Sequence, residues 1–196
     1  MSRKAQFDRD DVITKAKDLY WAKGYHGTSM RTLQEALDMR SGSIYAAFGS
    51  KDNLFIEAIQ RYAQDDGKTL AESMANSDSQ IDGLKTFIRK IILSNRDSAP
   101  SGMCMLVKSV SELTEADNPE LFAVVTELLG RIQTTLVESM KTAIHNGEIH
   151  SDKDPVELAC YIQVQIIGLR TFARATNEFD VVERFIDDIF VSGPFK

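Results

Sequence analysis

Apolar residues recur every three or four positions along nearly the whole chain. Between residues 8 and 23 they form the stripe of an amphipathic helix, which consists of Val12, Ile13, Ala16, Leu19 and Tyr20. Comparable stripes predict helices that begin near residues 28, 41, 50, 80, 103, 119, 155 and 179. With only 4 Pro and 11 Gly in the chain, long helices are favoured over a turn-rich β fold. The pattern therefore predicts an all-α protein.

Polar residues between the stripes predict where the helices begin and end. Asp8, Ser41 and Ser50 are suited to cap helix N-termini, and Gly24 and Gly49 are suited to end the helices that precede them. Asn76–Ser79 and Ser98–Gly102 are polar breaks, so the helix that begins near residue 80 is predicted to run to about residue 97. Residues 28–48 then hold two short helices joined by a tight turn.

Composition excludes several classes of protein. The 196 residues are 43% hydrophobic and 27% charged, as expected for a globular protein with a core. No apolar run approaches the roughly 18 residues that would span a membrane, and the charged N-terminus lacks the apolar core of a secretory signal. Two cysteines far apart form no disulfide or metal pattern. These features predict a cytoplasmic protein without a membrane partner.

Charge is divided unevenly along the chain. Residues 1–61 contain ten Lys or Arg and eight Asp or Glu, a net of +2. The remainder contains thirteen and twenty-one, a net of −8, which together give the overall −6. A mildly basic N-terminal unit on an acidic remainder is suggestive of a nucleic-acid-binding module joined to a second function.

The two short helices between residues 28 and 48 match a helix-turn-helix unit, whose second helix enters the major groove of DNA. The start of that second helix would direct the unpaired N–H groups of Ser41, Gly42 and Ser43 at the duplex. The Tyr45 hydroxyl can donate to phosphate, and Lys51 adds a cation at the next helix start. The alternative is that the serines only cap helices, that Tyr45 is core and that Lys51 is a solvated lysine.

The run GYHGTSMRTLQEALDMRSGSIYAAFGSKDNLF resembles the DNA-binding domain of the TetR family of bacterial repressors. The resemblance covers residues 8–56. It implies that Tyr25 and Phe48 are core, and it implies a set of DNA contacts: Thr28, Ser29, Arg40, Ser41, Gly42, Ser43, Tyr45 and Lys51. Many members carry bulky Tyr and His where this chain has Ala46 and Ala47. A thymine methyl could pack on Ala46, which we include among the predicted contacts.

The resemblance also implies a fold and a function. We expect an N-terminal three-helix DNA-binding domain over residues 1–56 and a helical ligand-binding and dimerisation domain over residues 57–196. The expected function is that of a ligand-responsive transcriptional regulator, most often a repressor. As a homodimer it would bind a palindromic operator in double-stranded DNA with two heads roughly 34–36 Å apart, and a small-molecule effector would release it.

The C-terminal stripes supply candidates for the interface and the pocket. The predicted dimer interface lies on the last two helices and consists of Tyr161, Val164, Gly168, Phe172, Phe185 and Ile189. The predicted pocket lies on the middle helices and consists of Phe87, Ile91, Met103, Met105, Leu106, Lys108, Val125 and Leu128. Further polar candidates are Glu112, Gln163, Gln165 and Arg170. Such stripes are also typical of an ordinary core, so this alternative stays open.

Cys104, flanked by two methionines, is a candidate redox-sensing thiol or a soft-metal ligand, although a buried inert cysteine is the commoner case. The three histidines do not have the spacing of a metal site, and we predict no cofactor and no metal. We find no nucleophile elbow, phosphate loop or paired carboxylates, so an enzyme is not expected. The remaining alternative is a helical protein-interaction module that does not bind DNA.

Overall fold

A computed structural model describes residues 7–94 and 99–196, and within these ranges the chain forms nine α-helices and no strand. The helices are α1 (Arg9–Lys23), α2 (Met30–Leu37), α3 (Ser41–Phe48), α4 (Lys51–Ala75), α5 (Gln80–Arg89), α6 (Met105–Glu112), α7 (Pro119–His145), α8 (Pro155–Thr176) and α9 (Phe179–Ile189). The predicted all-α fold class is confirmed. None of the helices in the described ranges is long and apolar enough to cross a membrane.

Local capping chemistry determines most helix starts. The side chains of Asp8, Ser29 and Ser50 accept backbone N–H bonds at the starts of α1, α2 and α4. The start of α3 differs from the prediction, because Arg40 occupies the capping position and makes no side-chain capping bond, while Ser41 is the first helical residue. The Ser43 N–H bonds to the Arg40 carbonyl at 2.9 Å, and no side chain among the described residues caps the N–H groups of Ser41 and Gly42 before it.

Helices α1, α2 and α3 pack with the first half of α4 into a unit that we call the head. Its core is aromatic: Tyr20 and Tyr25 stack on each other, and both pack edge-to-face with Phe55, with ring centroids 5.1 to 6.5 Å apart. Leu33 of α2 and Ile44 of α3 are completely buried against this cluster. The head is thus held by packing across all four helices, and α3 keeps its outer face free.

The second half of α4 joins α5 to α9 in a larger bundle that we call the body. α7 and α8 pack along each other, and α5 and α9 close the bundle around Leu84, Met140 and Ile162. The predicted domain boundary at residue 56 falls inside α4, which continues without interruption from head to body. The head core also continues into residues of α6 and α7, so the two units share a packed interface.

Two short segments depart from regular α-helix. Residues Lys90–Ser94 continue α5 as a π-helical turn, and Gly193–Phe195 form a 3₁₀ turn that packs on Tyr161. The predicted end of the helix near residue 97 lies outside the described residues. A π-helical turn is often found where a helix wall borders a functional site, and here its residue Ile91 faces a cavity.

Candidate nucleic-acid interface and cavity

The outer face of α3 carries most of the residues predicted to meet DNA. Arg40, Gly42, Ser43, Tyr45 and Ala46 are exposed, with 47% of the Tyr45 surface accessible, and Ser41 is half-buried. A Cβ atom added to Gly42 would meet no atom within 4 Å, so the first turn of α3 stands clear of the protein. A duplex can approach this turn closely, where helix N–H groups and positive dipole character favour phosphate.

The start of α2 offers fewer side chains for contact with DNA than predicted. Ser29 is exposed and caps α2 through a bond from the Thr32 N–H of 3.1 Å. Thr28, in contrast, is completely buried, and its hydroxyl donates to the Gly24 carbonyl at 2.7 Å. The predicted phosphate contact of the Thr28 side chain is therefore wrong: this threonine ties the loop after α1 to the end of that helix.

Lys51 at the start of α4 is turned inward. Its Nζ donates to the Tyr25 carbonyl at 2.8 Å and lies 4.0 Å from the centre of the Tyr25 ring. Burial lowers the pKa of Lys51, against the opposing charges of Asp52 and Glu112. Its predicted phosphate contact stays a prediction, and a duplex would have to compete with Tyr25 for the ammonium group.

The cations of the head are largely paired within the head. The ion pairs join Arg9 to Glu57, Lys15 to Asp11, Lys17 and Arg61 to Asp65, Arg31 to Glu35, and Arg61 to Asp10. Arg40 forms no ion pair or hydrogen bond through its side chain with any described residue. Because Arg40 stands at the amino end of α3, its charge is available to an anion there.

A cavity of about 460 Å³ lies in the body between α4, α5, α6, α7 and α8. Phe87, Ile91 and Leu128 line it, as predicted. Of the polar candidates, Gln163 and Arg170 also line it, whereas Glu112 and Gln165 do not. The remaining wall consists of Gln60, Ala63, Gln64, Asp66, Gly67, Leu70, Cys104, Val107, Leu129, Arg131, Ile132, Thr135, Leu136, Ile166 and Ile167. The size suits a small molecule.

Five of the predicted pocket residues do not line the cavity, which corrects the sequence analysis. Met105, Leu106 and Val125 are packed in the core that α6 and α7 share with the head. Met103 and Lys108 contact α1 instead. An apolar stripe shows that a helix side is buried, but it does not distinguish a neighbouring side chain from an empty space.

Helix α6 and the segment before it hold the C-terminal end of α1 at three points, which we call the α6 clamp. Lys108 Nζ donates to the carbonyls of Trp21 and Ala22, at 3.2 and 2.8 Å. The Trp21 indole N–H donates to the Met103 carbonyl at 2.6 Å. The Glu112 carboxylate accepts the backbone N–H of Tyr25 at 2.8 Å. A cation at the last carbonyls of α1 and an anion beyond them complement the helix end.

One end of the cavity is polar. Arg170 of α8 has only 6% of its surface accessible, and it donates from Nη1 to the Tyr62 hydroxyl at 3.1 Å. Its Nε is buried without a partner. Burial raises the pKa of the nearby Asp66, against the opposing effects of Arg170 and a hydrogen bond with Tyr62. The sequence indicates this polar end, because Arg170 interrupts the apolar stripe between Leu169 and Ala173.

The two cysteines lie in different surroundings. Cys104 is half-buried on the cavity wall at the start of α6, and Cys160 is exposed on α8, where it accepts a bond from Gln133 Nε2 at 3.1 Å. They form no disulfide. Residues 7–94 and 99–196 contain no group of three or more His, Cys, Asp or Glu that could hold a metal.

The last two helices expose apolar surface. Val164, Gly168 and Phe172 lie four residues apart on the outer face of α8, and Phe185 of α9 is 46% exposed. Two predicted interface residues lie elsewhere. Ile189, with 2% of its surface accessible, belongs to the body core, which corrects its assignment. Tyr161 is half-buried, because its hydroxyl bonds to Ser192 and its ring packs on Phe195.

Comparisons with known proteins agree with this geometry. The family model described as bacterial regulatory proteins, tetR family, matches residues 12–58, and the model described as tetracyclin repressor-like, C-terminal domain, matches residues 81–189. The uncharacterized HTH-type transcriptional regulator YezE of Bacillus subtilis (strain 168) is 24% identical over 188 residues, 95% of this chain and 96% of its own. The HTH-type transcriptional repressor ComR of Escherichia coli (strain K12) is 27% identical over 171 residues, 86% and 80% of the two chains.

Among solved structures, a cysteine mutant of the TetR family transcriptional regulator CifR, complexed with 26bp double-strand operator DNA, superposes with a TM-score of 0.87. It is 25% identical, and the match covers 97% of this chain and 99% of that one. The relatives are regulators of transcription and not enzymes. Together with the exposed face of α3, these matches show that the chain belongs to the TetR family of bacterial DNA-binding transcriptional regulators.

Proposed function

We propose that the protein is a cytoplasmic repressor that binds a palindromic operator as a homodimer and releases it when a small molecule occupies the cavity. The observation that carries this proposal is the course of α4. This helix is separated from the end of α3 by only two residues, and its residues from Gln60 to Leu70 form one wall of the cavity. A single rigid element therefore contacts both the DNA-binding unit and the space for an effector.

A second connection runs through α6. Cys104 and Val107 line the cavity, while Lys108 and Glu112 on another face of the same helix hold the end of α1. A ligand that displaces α6 or α4 would change the angle between head and body. Release of DNA then requires that the ligand binds this altered arrangement more tightly than the DNA-bound one.

The homodimer is supported by the exposed apolar surface of α8 and α9. Of seven large apolar or aromatic side chains exposed in the described residues, five lie on these helices or directly after them: Val156, Val164, Phe172, Phe185 and Val191. Gly168 has no neighbour within 4 Å of an added Cβ, which leaves room for a partner helix. A surface of this kind favours association with a second copy, which would supply the second head.

Titration of operator DNA tests the proposal. Purified protein is added to duplexes from the region upstream of its own gene, at several salt concentrations, in a gel-shift assay. We expect a shift with steep salt dependence and a dimer by analytical ultracentrifugation. Tyr45→Phe should weaken binding to every sequence, and the matched control Tyr161→Phe in the body should not. Absence of a shift at low salt would contradict the proposal.

Sequence preference is tested separately. Ser43→Ala and Ala46→Ser change groups that would face base edges, so we expect them to alter which duplexes are preferred rather than to weaken all of them equally. The measurement is selection from a randomised duplex pool. Identical selected sequences for both variants and the wild type would remove these two positions from the proposed base contacts.

Cys104 is proposed as an oxidant-sensitive position, on the ground that its thiol borders the cavity. Cys104→Ser should abolish any loss of operator binding caused by hydrogen peroxide, and Cys160→Ser, at an exposed position, should leave that response unchanged. If the response survives in Cys104→Ser, the thiol has no sensing role.

A further inference from the structure

Arg170 is the one charged side chain in the described cavity wall that is more than nine-tenths buried. A buried guanidinium is costly unless its N–H groups are bonded and its charge is balanced. Here a single bond from Nη1 to the Tyr62 hydroxyl is made, Nε has no partner, and no carboxylate of a described residue lies within ion-pairing distance of 4.0 Å. The bonding capacity of Arg170 is therefore largely unused.

The other charged groups of the cavity do not satisfy Arg170. Arg131 is a cation on the exposed rim, where it pairs with Glu127 at 2.6 Å. Asp66 is half-buried and contributes an opposing charge to Arg170, but its carboxylate oxygens lie beyond 4.0 Å from the guanidinium nitrogens. The polar end of the cavity thus presents a fixed positive charge with an incomplete counter-charge.

Most of the rest of the wall is apolar, although Gln60, Gln64, Thr135 and Gln163 also line it. Leu70, Phe87, Ile91 and Ile132 contribute apolar surface from α4, α5, the π-helical turn and α7, and Ile166 contributes it from the same helix as Arg170. A molecule that fills this space would bury an apolar body and place a polar group beside Arg170 at the α8 end. Planar guanidinium groups favour carboxylates, which accept two N–H bonds from one fork.

We infer that the effector is an amphipathic organic acid, whose carboxylate is bound by Arg170 and whose apolar body fills the space between α4, α5 and α7. The release of DNA by such an acid rests on the proposed function, whereas its binding does not. Tyr62 belongs to α4 and holds Nη1, so a carboxylate that recruits Arg170 acts directly on the helix that leads to the head.

Isosteric acids and amides test this assignment. Octanoate and phenylbutyrate are compared with octanamide and phenylbutyramide by isothermal titration calorimetry on the full-length protein. We expect each acid to bind at least about ten-fold more tightly than its amide, because only the acid supplies the missing charge. Equal affinities, or no binding of either acid, would overturn the assignment without any variant being made.

Variants locate the effect. In Arg170→Met the preference for acid over amide should fall to about one-fold, while Arg131→Met, at the exposed rim, should keep the wild-type ratio. Asp66→Asn removes the competing carboxylate and should strengthen acid binding several-fold. Retention of the acid preference in Arg170→Met, with operator binding intact as evidence of folding, would show that another group binds the acid.

A gel shift separates this inference from the proposed function. If the acids bind through Arg170 but leave the operator complex intact, the ligand assignment stands and release by a ligand fails. If unrelated neutral compounds release the operator and the acids do not bind, the proposed function stands and the acid assignment fails.

Discussion

The head and the body of this protein differ in how completely their side chains are packed and how completely their polar groups are paired. In the head, aromatic rings fill the core, and most cations pair with carboxylates of the same unit. In the body, long helices border a cavity of about 460 Å³, and the guanidinium at one end of it makes one hydrogen bond. The unit that presents one surface to a duplex is packed to a single shape. The body keeps unused space and unused donors, as the proposed response to a ligand requires.

The largest contrast is expected from a matched pair of phenylalanines. Phe55→Ala removes a ring packed on all sides in the head and should lower the free energy of unfolding by about 3–5 kcal/mol. Phe87 borders the cavity, so Phe87→Ala enlarges an existing space and should cost less, about 1.5–3 kcal/mol for the lost burial of the ring. Urea unfolding of both variants gives the two losses in free energy of unfolding. Equal losses would contradict the expected difference in packing between the head and the cavity wall.

A smaller effect is expected from two exposed arginines. Arg40→Ala should weaken operator binding by about ten-fold or more and reduce the salt dependence by about one ion per head. Arg131→Ala, which removes an exposed cation of the body, should change neither. Affinities at four salt concentrations give both quantities. An unchanged slope for Arg40→Ala would show that the free charge at the start of α3 does not meet phosphate.

Two helical glycines with open surroundings sharpen the comparison further. Neither Gly42 of α3 nor Gly130 of α7 would meet an atom within 4 Å on gaining a Cβ. Alanine should therefore stabilise the protein at each position by about 0.5–1 kcal/mol. Only Gly42→Ala should also weaken operator binding, because its methyl group would stand between α3 and the duplex. Thermal unfolding and gel shifts check the two effects, and unimpaired binding by Gly42→Ala would argue against close approach there.

The smallest expected effect is a dependence of stability on pH at the cavity. Burial raises the pKa of Asp66 above its value in the unfolded chain, so between the two values the folded protein binds more protons. The free energy of unfolding should then fall as the pH rises through that window, which begins at about pH 4. Asp66→Asn should flatten this fall, and Asp78→Asn in the exposed turn after α4 should not. Urea unfolding at several pH values across this window measures the change in the free energy of unfolding.

Local signals explain what the sequence predicted well. The caps Asp8 and Ser50 and the apolar stripes act within one helix turn, so the starts and ends of most helices could be placed within two residues. The exposed start of α3 followed from the same signals. Thr28 was misassigned because its hydroxyl bonds to the Gly24 carbonyl rather than to the helix it precedes. The spacing of residues in the sequence does not show which of these groups the Thr28 hydroxyl bonds to.

Long-range contacts explain the features that could not be predicted from the sequence. Lys108 reaches across to the end of α1, a partner 86 residues earlier in the chain, so its role in the α6 clamp leaves no periodic pattern. Leu106 and Ile91 belong to similar stripes, yet one packs into the core and the other borders an empty space. Whether facing side chains fill the volume between helices depends on the whole bundle. The charge of Arg170 within an apolar stripe was the signal that pointed to the polar end of the cavity.

The position of Trp21, the single tryptophan of the chain, gives the protein a built-in optical probe. Its indole bonds to the segment before α6, and its ring packs edge-on against Tyr62, 5.0 Å between centroids. Tyr62 in turn holds Arg170 at the cavity. Intrinsic fluorescence therefore reports on the interface between the head and the body. When unlabelled protein is mixed rapidly with a ligand, the rate of the fluorescence change measures how quickly binding in the cavity alters this interface.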